Sequence, residues 1–559
     1  MPRLLLPLFL LPTIFLGGCQ SDSLEKPSPS DTTPQTAFHN PILAGFNPDP
    51  SICRVGEDYY LVNSSFGYFP GIPVLHSRDL VNWQQIGAAI TRTEQMDMTK
   101  QGLSRGLFAP AISYHEGWFY IVCTLIDNGG NFIVKSQNPE GPYSNPYWLP
   151  ELNGGIDPSL FFDDDGRVYV VYNQGAPDNN PLYDGHRTLR LHELDPTTLQ
   201  VKGEEHLLVN GGTDLAKEPI WIEGPHIYKL NGYYYLMAAE GGTSYNHSEV
   251  IFRSESLNGP YESYAGNPIL TQRDLDPTRP DPITSTGHAD LIQTPDGDWW
   301  AVFLGCRPYE GEYYNTGRET FLAPVRWEDG WPIINPDHEE VQQTYPLPLP
   351  EVTDTPALQL GGLVNYRVDF DEPLDQRWLF LRNVKEPWYT LNRSVGKVRV
   401  ALRPETIADQ GNPSLMLRRQ PHPIGEVSTY LEFEPQSDNE QAGLVVLQNA
   451  DHYYFINKAQ NRLQLLKKSA DGYEVLAEKG YQEQGVHLQI KAIGNKYHFY
   501  YKADDQEWQT LAYNVDATYL STATAGGFVG CMYGLYASSQ GQPSETEALF
   551  SYFEVKSSK

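Results

Sequence analysis

The chain has 559 residues and a formal net charge of -30, with 70 acidic against 40 basic side chains. Such a charge disfavours nucleic acid or an anionic membrane surface as a partner, because both would repel it. The length exceeds what one hydrophobic core supports, so two or three domains are expected. Aromatic residues make up 12%, and 44 Pro with 48 Gly are typical of an all-β chain rich in turns.

The first 19 residues are typical of an export segment. The apolar run from Leu4 to Leu16 is too short to span a bilayer and predicts a secretory signal. Its end, Leu16-Gly17-Gly18-Cys19, resembles the lipobox of bacterial lipoproteins, which implies lipidation of Cys19 and, because Gln20 follows, anchoring in the outer membrane. An ordinary signal peptide with an incidental cysteine is the alternative. Residues 20–37, rich in Ser, Pro, Thr and Gln, predict a flexible tether.

One pattern occurs five times between Asn47 and Cys306: a short step leads into an apolar strand, a polar turn follows, and an aromatic strand closes the unit. The units start at Asp49-Pro50-Ser51-Ile52, Ala109-Pro110-Ala111-Ile112, Asp157-Pro158-Ser159-Leu160, Gly224-Pro225-His226-Ile227 and Ala289-Asp290-Leu291-Ile292. Their spacing accommodates a four-stranded blade of roughly 40–50 residues plus loops. The repeat predicts a five-bladed β-propeller over residues 38–346.

Three of the strand starts carry acidic residues. The first strand of a propeller blade lines the central channel, so the residue at its start lies at the channel mouth. Asp49 and Asp157 stand there in units one and three, and Glu223 stands one residue earlier in unit four. We therefore expect three carboxylates in one small volume. Turn carboxylates that cap backbone N–H groups are the alternative, which suits one isolated Asp-Pro better than three matched motifs.

The segments around these acids resemble known motifs. Asn47-Pro48-Asp49-Pro50-Ser51, Gly155-Ile156-Asp157-Pro158-Ser159-Leu160-Phe161 and Trp221-Ile222-Glu223-Gly224-Pro225-His226-Ile227 resemble the three active-site motifs of glycoside hydrolase family 43. The resemblance covers nearly all of residues 38–559 and is strongest to two-domain β-xylosidase and α-L-arabinofuranosidase members. It implies hydrolysis with inversion at the anomeric carbon, for which the two catalytic carboxyl groups lie roughly 6.5–9.5 Å apart.

The chemistry of glycosidic hydrolysis gives each acid a role. One carboxylate must draw a proton from water, while another must stay protonated to donate to the leaving oxygen. Asp49 is the candidate base, and Glu223, with its longer side chain, is the candidate acid. Asp157 is a nearby like charge that would raise the pKa of Glu223 and keep it protonated near neutral pH. The resemblance implies the same three roles.

Four further residues are expected around the sugar by resemblance. Phe66 matches a position that walls the pocket, and Arg307 matches an arginine that hydrogen-bonds sugar hydroxyls; a core aromatic and a structural salt bridge are the alternatives. Phe108 stands where many relatives carry tryptophan at the pocket rim, which leaves the leaving-group preference open. His288 should face the channel, where the matching histidine of relatives often lies near a water-coordinated calcium or other ion. A buried, hydrogen-bonded histidine without metal is the alternative, and no cofactor is required.

The last third of the chain differs in pattern. Residues 347–363 are rich in proline and predict a semi-rigid connector. From residue 364 to 559, short alternating segments separated by turns predict an antiparallel β-sandwich without an acid triad of its own. The resemblance implies a concanavalin-like accessory domain that packs on the propeller and can lend a loop to the active-site mouth.

The leading hypothesis is an inverting exo-glycosidase that removes terminal β-1,4-xylosyl residues from xylo-oligosaccharides or xylan. The closest alternative is an α-L-arabinofuranosidase, or a bifunctional enzyme, on arabinoxylan or arabinan. An endo-acting arabinanase would need an open groove, and a non-catalytic glycan-binding surface lipoprotein would not need three acids. In each case the protein contacts a membrane only through its lipid anchor.

Overall fold

The computed structural model describes residues 36–350 and 360–558. The predicted export segment 1–19 with Cys19, nearly all of the predicted tether, and residues 351–359 of the connector lie outside the described residues. No helix in the described ranges is long and apolar enough to cross a membrane. Helical structure there comprises one short α-helix and five 3₁₀ turns: Thr522–Ala525; Pro150–Leu152, Pro177–Asn179, Leu215–Lys217, Arg393–Val395 and Thr518–Leu520.

Five antiparallel sheets form the blades of a propeller, as the repeat predicts. Blade one consists of Ser51–Val55, Asp58–Val62, Gly71–Ser77 and Gln84–Ile90. Blade two consists of Ala111–His115, Trp118–Leu125, Gly130–Ser136 and Tyr147–Trp148. Blade three consists of Ile156–Phe162, Val168–Gly175, Arg187–Leu194 and Val201–Asn210. Blade four consists of Glu223–Leu230, Tyr233–Glu240, Ser248–Ser254, Glu262–Ser263 and Leu270–Thr271. Blade five consists of Thr284–Gln293, Trp299–Cys306, Glu319–Glu328 and Trp331–Ile334.

The blade ring is closed by packing and by hydrogen bonds between blades. Apolar side chains of neighbouring blades share buried clusters, for example Val62 with Ile121 between blades one and two. Asp290 of blade five accepts hydrogen bonds from Ser51 Oγ of blade one at 2.8 Å and from the Tyr228 hydroxyl of blade four at 2.7 Å. The strand Ala37–His39 also pairs antiparallel with Thr344–Pro346, which joins the two ends of the domain.

The backbone is unusual where the first strands begin. Asp49, Asp157, Gly224 and His288 all have positive φ values, between 50° and 59°. The strand register is interrupted at the same points in blades three, four and five. Bulges of this kind turn side chains away from the regular alternation and are common beside active sites. Left-handed backbone costs about 1–3 kcal/mol at a non-glycine residue, so the surrounding blades must hold it in place.

The C-terminal domain is a β-sandwich, in agreement with the alternating sequence pattern. One sheet contains Tyr366–Val368, Tyr389–Asn392, Lys397–Ala401, Glu547–Ser557, Ile424–Glu432, Gly485–Ile493, Lys496–Lys502 and Gln509–Asp516. The other contains Ser414–Arg419, Met532–Ser538, Gln441–Asn449, His452–Ala459, Arg462–Ser469 and Gly472–Gly480. Alternate side chains of both sheets point inward and form one large apolar core.

The sandwich is joined closely to the propeller. Tyr68–Phe69 of the propeller pairs antiparallel with Phe380–Leu381 of the sandwich. Phe66 and Phe46 of the propeller lie in the same buried apolar cluster as sandwich residues such as Val529. The first blade and the sandwich therefore share a hydrophobic core beside the mouth of the propeller channel.

Candidate active site

Three acids from different blades line one cavity of about 290 Å³. The three acids are far apart in the sequence, yet each lies at the start of a first strand. Asp49 stands two residues before the first strand of blade one, Asp157 is the second residue of that of blade three, and Glu223 is the first residue of that of blade four. All three side chains are buried, with residue exposures between 4% and 7%. The remaining lining residues are Phe66, Phe108, Ala109, Ile156, Ile220, Trp221, Gly242, Thr243, His288, Arg318 and Phe528. The structure thus brings together the three acids predicted from the repeat.

Asp49 is fixed by direct contacts to both of its carboxylate oxygens. Ser64 Oγ donates to Oδ2, and Arg318 Nη1 donates to Oδ1. Arg318 Nη2 lies 3.4 Å from Oδ2, and Nη1 also donates to Thr243 Oγ1 at 3.2 Å. A guanidinium group that contacts both oxygens favours a carboxylate in one orientation. Asp49 is therefore held as a hydrogen-bond acceptor in the cavity wall.

The other two acids have perturbed protonation. Burial first, and then the charges of Asp157 and Asp49, raise the pKa of Glu223 well above its usual value of 4.5. Burial and the neighbouring Asp49 raise the pKa of Asp157 to about 7, although Arg187 and Arg318 oppose the shift. From the sequence, the like charge of Asp157 was expected to keep Glu223 protonated. In the structure, burial away from water raises the pKa of Glu223 more than the neighbouring charges do.

His288 lies in the cavity wall beside Asp49 and Gly224. Its Nδ1 is 3.9 Å from Asp49 Oδ1, and its ring occupies the space where a side chain on Gly224 would lie. Burial lowers the pKa of His288 to about 4, so the imidazole is neutral at physiological pH.

The calcium ion expected beside His288 stays a prediction. In the described part of the chain, no three His, Cys, Asp or Glu side chains are grouped so that they could hold a metal ion. Calcium takes six to eight oxygen ligands, so an ion beside His288 would draw most of them from water, as the resemblance implies. His288 also lines the cavity itself, beside Asp49.

The prediction that Arg307 lies in the sugar pocket is wrong. Arg307 does not line the cavity; its Nε and Nη2 donate to the two carboxylate oxygens of buried Glu319 at 2.6 and 2.7 Å. Its other contacts are His422 at 3.2 Å and the Pro421 carbonyl at 3.0 Å, both in the sandwich. Arg307 thus joins the two domains, and the arginine that reaches the cavity is Arg318.

An aromatic wall closes one side of the cavity. The Phe66 ring lies 5.4 Å from that of Phe108 and stacks on Phe528 at 6.2 Å. The Arg318 guanidinium lies 5.8 Å from the Phe66 ring centre and 5.9 Å from that of Phe528. The predicted Phe66 and Phe108 are both in this wall. Phe528 comes from the sandwich, so the C-terminal domain contributes a side chain to the cavity.

Three lining residues, Arg318, Phe528 and Trp221, were not predicted from the sequence. Arg318 directly precedes the third strand of blade five, whereas the repeat draws attention only to the first strands. Phe528 follows Gly526 and Gly527, which both have positive φ, and a Gly-Gly-Phe loop after a helix could have indicated a presented aromatic ring. Trp221 stands inside the Glu223 motif.

Comparison with known proteins agrees with this geometry. The family model described as Glycosyl hydrolases family 43 matches residues 38–332, and that described as Beta xylosidase C-terminal Concanavalin A-like domain matches residues 367–556. A xylosidase/arabinosidase of Butyrivibrio fibrisolvens is 40% identical, covering 93% of this chain and 99% of that protein. A non-reducing end alpha-L-arabinofuranosidase of Bacteroides ovatus is 38% identical, covering 93% and 95%.

Solved structures give the same result for the complete two-domain architecture. The crystal structure of xylan beta-1,4-xylosidase from Bacillus halodurans C-125 aligns with a TM-score of 0.82 at 33% identity, covering 93% of this chain and 100% of that chain. The chain belongs to glycosyl hydrolase family 43, and the resemblance inferred from its three motifs is confirmed. It is therefore a glycoside hydrolase with a propeller and a concanavalin-like domain.

Proposed function

We propose that this protein is an inverting, exo-acting glycosidase that removes terminal β-1,4-linked xylosyl residues from xylo-oligosaccharides or xylan. The observation that carries the proposal is one cavity that holds an arginine-paired carboxylate, Asp49, and an acid of raised pKa, Glu223. These are the two protonation states that hydrolysis with inversion requires at the same time. Relatives named xylosidase and arabinosidase support the choice of sugar.

In this mechanism each acid acts on a different atom. Asp49 takes a proton from a water molecule as its oxygen attacks the anomeric carbon from the face opposite the leaving group. Glu223 donates its proton to the glycosidic oxygen as the bond between that oxygen and the anomeric carbon breaks. The products are a sugar of inverted configuration and the released alcohol. Ser64 and Arg318 orient Asp49, and Asp157 helps to keep Glu223 protonated.

The shape of the site supports release of single sugars. A cavity of about 290 Å³ is at the lower limit of ordinary ligand pockets, which suits one small sugar ring. The aromatic wall of Phe66, Phe108 and Phe528 closes one side of the cavity, which favours a pocket over an open groove. Neutral His288 and the Arg318 guanidinium provide hydrogen-bonding groups for sugar hydroxyls.

An α-L-arabinofuranosidase is the second candidate. The Bacteroides ovatus relative carries that name and aligns over nearly its whole length. A furanose of the arabino type presents hydroxyl groups in an arrangement similar to xylose, so one pocket can accept both. The same acids would perform the same steps.

The test is a pair of rates and the configuration of a product. Rates on 4-nitrophenyl β-D-xylopyranoside and on the α-L-arabinofuranoside give the preferred sugar, and NMR during xylobiose hydrolysis gives the first anomer released. We expect a preference for the xyloside and α-xylose as the first product. A preference above about tenfold for the furanoside would make the arabinofuranoside the substrate instead of the xyloside. Mixed oligomers released from a long chain would show that the enzyme is endo-acting.

Two variants test the assignment of roles. Asp49→Ala and Glu223→Ala should each lower kcat/KM on unactivated oligosaccharides by roughly 10²–10⁴-fold, the usual contribution of a general base or acid. Circular dichroism of both variants should still match the wild type, which checks that the loss of activity is not a loss of fold. Wild-type rates in both variants would exclude this mechanism.

We also propose that the protein is exported and anchored to the outer membrane through a lipid on Cys19. The proposal depends on the Leu16-Gly17-Gly18-Cys19 motif alone. Metabolic labelling with a fatty acid should mark the wild type and leave Cys19→Ser unlabelled. Equal labelling of both proteins would exclude lipidation at this residue.

A further inference from the structure

Trp221 occupies the open end of the cavity, next to the proposed acid. It is 36% exposed and lines the same cavity as buried Glu223, two residues further along the chain. The Trp221 side chain opposes the rise in the pKa of Glu223, because its indole N–H lies near that carboxyl. The proposed acid must face the glycosidic oxygen, so the group that leaves with this oxygen lies on the same side of the cavity as Trp221.

The backbone of Trp221 is held in an uncommon conformation. Its φ of 58° is a genuine outlier for a residue with so large a side chain. The Trp221 N–H donates to the Gly185 carbonyl at 2.9 Å, and the preceding Ile220 carbonyl accepts from Gly241 N at 2.8 Å. The Tyr183 hydroxyl donates to the Pro219 carbonyl at 2.9 Å. Several contacts from two blades therefore maintain a costly conformation that presents the indole ring at the mouth.

One face of the indole ring is covered by an arginine that is itself fixed. The Arg187 guanidinium lies 4.9 Å from the Trp221 ring centre. Asn173, which is fully buried, accepts from Arg187 Nε at 2.8 Å and from Nη2, and its Nδ2 donates to the Ile222 carbonyl between Trp221 and Glu223. Asn173 thus sets the distance between the arginine and the segment that carries the ring. The exposed part of the indole is left to the cavity.

We propose that Trp221, backed by Arg187, is the platform on which the leaving group stacks. A flat sugar ring with an apolar C–H face, such as a second xylosyl unit, fits against an aromatic ring held in this way. An open-chain alcohol does not. The inference rests on the proposed function, because it assigns Glu223 as the acid and places the leaving group beside it. Trp221 is a specificity-determining residue in this proposal, and Arg187 is a positioning residue.

The test compares two leaving groups on one sugar. Xylobiose releases a sugar ring, whereas methyl β-D-xylopyranoside releases methanol, and both depend on protonation of the leaving oxygen. We expect Trp221→Ala to lower the ratio of kcat/KM for xylobiose to kcat/KM for the methyl xyloside at least tenfold. Trp221→Phe, which keeps a ring face but loses the indole N–H, should stay within about threefold of the wild-type ratio. Arg187→Met should lower the ratio by about two- to fivefold.

Controls separate this inference from the proposed function. Tyr513→Ala, an exposed aromatic on the sandwich, should leave the ratio unchanged. If the wild type cleaves only arabinofuranosides, the same comparison is made with an arabinofuranosyl-xylose and methyl α-L-arabinofuranoside. A wild type inactive on both pairs would reject the proposed function. The platform alone would be rejected if the wild type is active and Trp221→Ala leaves the kcat/KM ratio unchanged. It would also be rejected if Trp221→Phe lowers this ratio as much as Trp221→Ala does.

Discussion

Buried charge has different surroundings in the sandwich and at the propeller mouth. In the sandwich, buried Arg418 pairs with Asp375 at 2.7 Å, and Arg418 with Arg377 lowers the pKa of Asp375 although burial opposes this. Lys458 donates to three backbone carbonyls. At the mouth, burial and mutual repulsion raise the pKa of Asp157 and Glu223 despite two nearby arginines. The sandwich therefore stabilises the charged form of its buried Asp375, whereas the propeller mouth disfavours the charged forms of Asp157 and Glu223.

The difference teaches how the two domains divide stability and chemistry. An acid with a raised pKa destabilises the folded state at neutral pH, and so does left-handed backbone at Asp49 and Asp157. The sandwich compensates by packing against the first blade beside these groups and by covering Phe66. The sandwich is therefore part of the site as well as its support.

The largest expected effect comes from removing the sandwich. A chain ending at residue 363 would expose Phe46, Phe66 and Tyr68, which lie in an apolar cluster shared between the domains. Because a large exposed apolar patch promotes aggregation, we expect little soluble protein and no measurable activity in it. Soluble yield and kcat/KM check this result. A soluble propeller with wild-type rates would show that the two domains are independent.

Substitution of the two arginines that flank the strands of blade five should affect activity differently. Arg318→Met removes the ion-pair partner of buried Asp49, so it should lower kcat/KM by about 10²–10³-fold and lower Tm as well. Arg307→Met leaves buried Glu319 with only Gly45 N and Thr316 Oγ1 as donors. It should lower the free energy of unfolding by about 3 kcal/mol while kcat/KM of the folded protein stays near the wild-type value. Kinetics and thermal unfolding of both variants measure the contrast. An unchanged Tm with lost activity in Arg307→Met would restore the original prediction for Arg307.

The contribution of the sandwich to the cavity is tested at Phe528. This ring is 39% exposed and stacks on Phe66, so its removal opens the aromatic wall without disturbing a core. We expect Phe528→Ala to lower kcat/KM about tenfold, mainly through KM, since a stacked ring contributes about 1 kcal/mol beyond its buried area. Phe528→Leu, which keeps an apolar side chain, should lose less. Equal kinetics in the wild type and both variants would show that the sandwich supports the propeller without contributing to substrate binding.

The smallest expected effect is a shift in Tm when one buried acid is neutralised. The shift should be upward at Glu223 of the propeller and downward at Asp375 of the sandwich. The folded-state pKa of Glu223 is raised above 4.5, so its destabilisation appears as pH rises above that value. Glu223→Gln should therefore raise Tm by about 2–4 °C at pH 7 and by less at pH 4. The folded-state pKa of Asp375 is lowered below 3.8, so its stabilisation is present above that pH and is lost in acid. Asp375→Asn should lower Tm at pH 7.

Calorimetry from pH 3 to pH 8 measures both shifts in the same experiment. Parallel changes of one sign in the two variants would remove the distinction between the domains. A Tm difference for Glu223→Gln that does not depend on pH would point to a packing effect of the substitution.

The fold was predictable from the sequence because each blade repeats a local pattern. Asp49 and Asp157 were identifiable because each stands at the start of a first strand, and first strands line the channel. Arg307 and Arg318 were not distinguishable in this way. Gly305 pairs with Glu319, so both arginines leave blade five at the same edge, and only the local geometry decides which one reaches the channel.

Phe528 marks a different limit of sequence reasoning. It reaches the cavity from a loop of the other domain, more than 400 residues after Phe66. No periodicity links the two positions, because their contact depends on how the domains dock. Trp221 was visible in its motif, but its role depends on a positive φ and on Arg187, which the sequence does not indicate.

The left-handed backbone at the strand starts limits how this active site can be re-engineered. At Asp49, Asp157 and His288, saturation libraries should return glycine, asparagine and aspartate most often among folded clones, since these residues tolerate positive φ. Blade two offers more freedom, because Ala109 lines the cavity from a strand start without this conformation. A designer who wants a new functional group facing the sugar should therefore install it at Ala109.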